Sequence, residues 1–203
     1  ESDGEISNDE VQYISKIATN LGLTKEQFES IKNHSNTKNI ANEDSEYNYN
    51  EEDFFKVIKI LREIKKRNKK VILVGNGGSA AMASHVSVDF TKLCKIRAIN
   101  FNEADLLTCF SNDYGYENWV KKALSYYCKK KDIVILLSAG GSSKNILNAA
   151  RYCIKHKIKL ITLSGINNKN KLQKMGNVNF FVNSKTFNTP PKPASPSAII
   201  GNI

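Results

Sequence analysis

Short apolar runs that alternate with helical patterns predict an α/β fold, a parallel sheet covered by helices on both faces. Three observations carry that prediction. Five runs, near 71–74, 96–101, 133–137, 159–163 and 178–182, are short and mostly apolar, and those at 71–74 and 133–137 are uninterrupted, as in strands buried on both sides. Helical periodicity fills most of the sequence between them. Two of the runs end in corners rich in glycine and serine, Gly75-Asn76-Gly77-Gly78-Ser79-Ala80 and Ser138-Ala139-Gly140-Gly141-Ser142-Ser143, and each corner leads into a helical pattern.

Taken in order, residues 1–33 read as a short helical segment. Ser7-x-x-Glu10 and Thr24-x-x-Gln27 are capping-box patterns, and Val11, Ile14, Ile17 and Ala18 make an apolar stripe that Gly22 can end. Residues 34–50, rich in Asn, Ser and Glu, read as a linker. The main domain is expected over 51–183. It opens with a helix from Glu51 to about Lys69, where Phe54, Val57, Ile58, Leu61 and Ile64 recur at helical spacing. Further helices are expected near 78–93, 116–128, 143–156 and 169–174. Asn112-Asp113-Tyr114-Gly115 reads as a turn, with Asp113 capping the helix that bears Tyr116, Glu117 and Trp119. Residues 184–203 contain all four prolines and read as an irregular tail.

Composition narrows the function. A chain of 203 residues holds one ordinary domain and a short appendage. No apolar run is long enough for a membrane span, and the acidic start is no signal peptide, so a cytoplasmic protein is expected. Because the first residue is Glu1, a fragment or processed form is also expected. The net charge of +10 invites a nucleic-acid surface. We set that aside, because the lysines are spread over several helices and read as solvated faces. Cys94, Cys109, Cys128 and Cys153 form no C-x-x-C pair, which speaks for reduced, structural thiols.

The two corners point to a small anionic ligand. A strand that ends in glycines and opens a helix presents unhindered backbone N–H groups where the helix dipole favours negative charge. The first corner could be only a tight turn, though Asn76 and Ser79 add polar groups beside Gly77 and Gly78. In the second, Ser142 or Ser143 would serve as an N-cap, but three serines with Gly140 and Gly141 exceed what a cap needs. Neither a P-loop nor a G-x-G-x-x-G pattern is present, so no nucleotide cofactor is expected. His85 and Asp89, four apart on one helix face, read either as two metal ligands, as an acid/base pair, or as a surface hydrogen bond.

Residues 53–183 resemble the sugar isomerase (SIS) domain family, in its phosphoheptose isomerase-like branch. The resemblance rests on V-I-L-V-G-N-G-G-S-A-A-M-A-S-H-V-S-V-D-F (71–90), S-N-D-Y-G-Y-E-N (111–118), L-S-A-G-G-S-S-K-N (137–145) and I-T-L-S-G (161–165). It implies a doubly wound three-layer sandwich with five parallel strands, self-association as a dimer or tetramer, and active sites at subunit boundaries. It implies a sugar phosphate as ligand, held by Ser138, Ser143 and the backbone between them, with Asn76, Gly77 and Gly78 against the sugar. It also implies Asp113 in the substrate site, zinc on His85 and Asp89, and acid/base work by those two residues. The implied reaction is aldose–ketose isomerisation of sedoheptulose 7-phosphate through an enediol.

Three departures from the family pattern stand out. Gly140 replaces a phosphate-binding serine, Asn167 replaces an aspartate, and no C-terminal helix with a Gln and a His follows residue 183. The resemblance therefore implies an incomplete zinc site and impaired catalysis. The alternative is a non-catalytic SIS module that binds a sugar phosphate or an initiator-type partner. Residues 3–28 are also similar to the end of a TerB-like helical domain.

Overall fold

The computed structural model describes residues 51–167 and 169–182, all of which lie in one compact unit. The expected helical segment, linker and tail lie outside the described residues. The elements, in order, are α1 (Glu51–Lys66), β1 (Lys70–Val74), α2 (Gly78–Lys92), β2 (Arg97–Asn100), α3 (Ala104–Tyr114), α4 (Trp119–Tyr127), β3 (Ile133–Ser138), α5 (Lys144–Lys155), β4 (Lys159–Gly165), one 3-10 turn (Leu172–Lys174) and β5 (Val178–Val182).

All five strands are parallel, in the order β2-β1-β3-β4-β5. Successive side chains of each strand serve opposite faces. Val71, Leu73, Ile133, Ile135 and Leu137 pack with Val57, Ile60, Leu61 and Ile64 of α1 and with Met82, Ala83 and Val86 of α2. Ile72, Val74, Val134 and Leu136 pack on the other side with Leu106, Leu107 and Phe110 of α3, Trp119 and Leu124 of α4, and Ile146 and Cys153 of α5. This is the three-layer, doubly wound α/β sandwich. Each fully buried Val, Leu or Ile side chain contributes ~1.5–3 kcal/mol, so the two cores outweigh any single polar contact.

The order also fixes where a ligand belongs. From β1 the chain goes to β2 on one side, then crosses to β3 on the other. The strand order therefore reverses between β1 and β3, and sheets of this kind take their ligands beyond the carboxyl ends at such a reversal.

Two expectations need correction. Residues 104–114 form α3, which periodicity did not reveal, because its apolar residues are only half-buried and none is fully covered. Asp113 is therefore no N-cap. It lies in the last turn of α3, which Gly115 ends at φ 77°, and Asn118 occupies the N-cap position of α4. The expected helix at 169–174 is only a 3-10 turn, whose start is held by the Asn170 Oδ1, which accepts the Gln173 N–H at 2.9 Å.

At the amino end of the sheet, Asp132 is buried at 3% exposure and joins the start of β3 to that of β1. It accepts the Lys70 ammonium at 2.7 Å and the backbone N–H groups of Lys70 and Lys129 at 3.1 and 2.8 Å. Burial alone would push this carboxyl up. The Lys70 ammonium and the two backbone donors outweigh it and hold the carboxyl below its ordinary value. Among the described residues, no helix is long and apolar enough to cross a membrane.

Candidate phosphate-binding crevice

Both glycine corners stand at the reversal point. Residues 75–77 link β1 to α2, residues 139–143 link β3 to α5, and β1 and β3 are neighbours with Val74 opposite Leu136. The convergence is direct. The Asn76 Nδ2 donates to the Asn145 Oδ1 at 3.0 Å, and the Asn145 Nδ2 donates back to the Asn76 Oδ1 at 2.8 Å. The Tyr116 hydroxyl, from the segment between α3 and α4, reaches the same Asn76 Oδ1 at 3.4 Å.

The corner after β1 needs its glycines for different reasons. At Gly75, a Cβ would lie 2.5 Å from the backbone of Ser79, so the strand could not turn so tightly into α2. Gly77 occupies the left-handed region at φ 53° as the N-cap of α2, and a Cβ there would meet nothing within 4 Å. That corner is open. Gly78 begins α2, and Ser79 is buried at 7% exposure, its N–H bonded to the Asn76 carbonyl at 3.0 Å. No side chain caps α2.

The corner after β3 is tighter. Gly141, at φ 60°, donates its N–H to the Ser138 carbonyl at 2.9 Å, and a Cβ there would overlap the Asn170 side chain. Ser143 holds the N-cap position of α5, yet its side chain makes no capping hydrogen bond. Its hydroxyl lies 3.4 Å from that of Ser138 instead. The capping explanation of the serines therefore fails for Ser143, and the first-turn N–H groups of α5, which have no intrahelical acceptor, share the crevice with two hydroxyls. Gly140 and Ser142 are exposed.

The remaining expected residues do not join these corners. His85 and Asp89 lie about 10 and 16 Å along α2 from Gly78, at 1.5 Å of rise per residue. They face outward, with the His85 side chain 81% exposed and its Nε2 3.4 Å from the Asp89 Oδ2. Among the described residues, no group of three His, Cys, Asp or Glu side chains could hold a metal ion. Two donors are half of a tetrahedral set, so these residues by themselves do not fit a zinc centre. Asp113 is exposed, and its carboxylate accepts from Asn112 and, at 3.6 Å, from the Cys109 thiol.

Asn145 and Tyr116 belong to the site although the sequence reading gave them no role. The signal for Asn145 was present. It shares the buried stripe of α5 with Ala149 and Cys153, and a polar residue on such a stripe requires a partner.

Comparison with known proteins bears on the family and the fold. A family described as SIS domain matches residues 39–165. Phosphoheptose isomerase 2 of Campylobacter jejuni is 39% identical over 106 residues, covering 49% of this chain and 53% of that protein. The phosphoheptose isomerase of Aliarcobacter butzleri is 31% identical over 140 residues, covering 66% and 74%. The chain thus spans from about half to three quarters of the length of these curated relatives. The solved phosphoheptose isomerase of Neisseria gonorrhoeae superposes with a TM-score of 0.61 at 21% identity, covering 94% of this chain and 91% of that one. At such identity the likeness establishes the shared fold.

Proposed function

This chain belongs to the SIS-domain family, in its phosphoheptose isomerase branch, and on that footing we propose that it binds a sugar phosphate in the crevice between β1 and β3. The observation that carries the reading is the meeting of the two corners through Asn76 and Asn145. The phosphate is held by neutral donors: the Ser138 and Ser143 hydroxyls and the N–H groups that open α5. Neutral donors at a helix start bind a phosphate without a compensating cation, because the dipole supplies the positive field. The open side of Gly77 leaves room for the sugar chain to pass close to the backbone.

The substrate in this reading is sedoheptulose 7-phosphate, and the reaction interconverts ketose and aldose forms. A carboxylate takes a proton from C1 and returns it to C2, through an enediol, while a donor protonates the oxygen at C2 and the hydroxyl proton at C1 is given up. Asp89 is the carboxylate we assign, with His85 as its hydrogen-bonding partner. Both lie on the outer face of α2, so the reading includes self-association, as a dimer or tetramer, in which one copy's α2 faces a neighbour's crevice. A cytoplasmic location follows from the substrate. No step is routed through a metal, since these residues do not by themselves supply a ligand set.

The test is incubation with sedoheptulose 7-phosphate in deuterated water. The expected result is deuterium at C1 of the recovered ketose and at C2 of the aldose formed from it. Binding without exchange would leave the non-catalytic module as the reading, and absence of both binding and exchange would remove the sugar-phosphate assignment.

A further inference from the structure

We propose that Asn145 is a positioning residue, whose amide clasp with Asn76 sets the separation of the two anion-binding corners. The inference rests on the phosphate reading for its consequence, but on geometry for its existence. Asn145 is 1% exposed at the start of α5, and Asn76 is half-buried in the corner before α2. Residues 69 apart in sequence exchange two hydrogen bonds of 3.0 and 2.8 Å. Each amide has one acceptor and two N–H donors. The clasp uses the acceptor and one donor of each, and Tyr116 adds a second contact to the Asn76 oxygen. The Asn76 side chain is then a cross-link with one N–H to spare, and not a free arm for the ligand. Pairing survives joint reversal of both amides, so it does not depend on which way either is turned.

The clasp has a functional consequence that simple burial of polar groups would not. Two preformed corners bind one ligand without first being brought together, so ordering them in advance removes a cost from binding. A neutral clasp suits that place. A charged pair here would put a carboxylate beside the phosphate.

The decisive variant is Asn145→Asp. A carboxylate can accept from Asn76 but cannot donate back, whereas a protonated carboxyl has both a C=O and an O–H and restores the reciprocal pair. Backbone hydrogen exchange at residues 76–80, and the affinities for inorganic phosphate and for sedoheptulose 7-phosphate, are each compared with the parent chain at the same pH. The expected result at pH 8 is exchange about tenfold faster and affinity about tenfold weaker, the scale of one net hydrogen bond. Both differences close as the pH is lowered until the introduced carboxyl is protonated, which the carboxyl carbon's NMR shift reports. Unchanged exchange at 76–80 at pH 8, or a deficit that persists equally once that carboxyl is protonated, would overturn the clasp. If the parent chain binds neither ligand, the phosphate reading fails while the exchange data still decide the clasp. If N145D does not fold, Asn76→Ala decides it: faster exchange at 143–147 supports the clasp and unchanged rates overturn it.

Discussion

The two ends of the sheet solve the same problem with opposite chemistry. At each end a polar pair joins the β1 side to the β3 side, Lys70 with Asp132 at the amino end and Asn76 with Asn145 at the carboxyl end. At the amino end the ion pair is largely buried, and its carboxylate accepts three hydrogen bonds. The carboxyl end carries the proposed anion site, and its link is neutral. Backbone strain divides in the same way between the amino end and the two corners, while Ile166, just beyond the carboxyl end of β4, is left-handed at φ 60°. Chain reversals at the amino end place non-glycine residues in the left-handed region, with Asn68, Lys95, Lys131 and Lys157 at φ 50°, 54°, 73° and 54°. Asn68, Lys95 and Lys157 each follow a helix C-terminus, where the side chain can stand in solvent and a lysine's charge complements the dipole, and Lys131 lies in the turn before β3. At the carboxyl end the left-handed positions in the two corners are Gly77 and Gly141. The comparison teaches that strain is tolerated where a Cβ has somewhere to go, and that glycine is kept where a ligand or a packed neighbour needs the space.

The largest expected effect comes from breaking the amino end. Asp132→Ala leaves the Lys70 ammonium half-buried without its partner, and removing one member of a buried pair costs ~3–5 kcal/mol. Chemical denaturation should show that loss, with the phosphate affinity of the remaining folded fraction unchanged. The pH dependence has a definite sign. The Asp132 carboxyl is held below its ordinary value in the fold, so its contribution is complete above that ordinary value and is lost as pH falls through the lowered one. The parent chain should therefore lose stability on acidification below about pH 4, the unfolded Asp range. A D132A chain should lack that part of the slope.

Gly141→Ala breaks the open end. The methyl group meets Asn170, which is itself fixed by bonds to Ser164, to the Asn167 carbonyl and to the Gln173 N–H, and the backbone is held at φ 60°. Strain of about 1–3 kcal/mol is expected from the backbone alone. Unlike D132A, this change should also abolish phosphate binding, which calorimetry would register. Gly77→Ala carries the same backbone strain without the collision, so it should fold and bind more weakly. Equal stability losses in the two alanine variants would contradict the distinction between a packed and an open corner.

Ser143→Ala sharpens the comparison further. Ordinary N-cap serines cost about 0.5–2 kcal/mol when lost. Ser143 makes no capping bond, so its loss should change stability by less than about 0.5 kcal/mol, while phosphate affinity falls about tenfold. A large stability loss with intact binding would return Ser143 to the role of a cap.

Much of this was legible in the sequence, and the exceptions share a cause. Strands β1 and β3 lie within one residue of the runs at 71–74 and 133–137, because strands buried on both faces need uninterrupted apolar residues, and the edge strand β5, interrupted by Asn179, matches its run at 178–182. The two corners were legible for a similar reason, since glycine tolerates left-handed backbone and leaves room for close approach. Helix α3 was not, because half-buried Leu106, Leu107 and Phe110 give a weak stripe and Asn112-Asp113 imitates a turn. Asn145 was visible only as a letter in a motif. Its role depends on Asn76, 69 residues earlier, and such pairing follows from strand order, which local patterns do not encode.

The smallest effect tests the strained end. Lys157 holds φ 54° where α5 turns toward β4, and the Ile158 N–H bonds back to the Cys153 carbonyl at 2.9 Å. Left-handed backbone costs a residue with a Cβ ~1–2 kcal/mol, while glycine gives back ~0.5–1 kcal/mol through the freedom of the unfolded chain. Lys157→Gly should therefore stabilise the domain by less than about 1 kcal/mol, read as a small rise in the denaturation midpoint. Phosphate affinity should not move, because the substitution lies at the other end of the sheet. A loss of stability would mean that the lysine's charge at the helix terminus outweighs the strain it imposes.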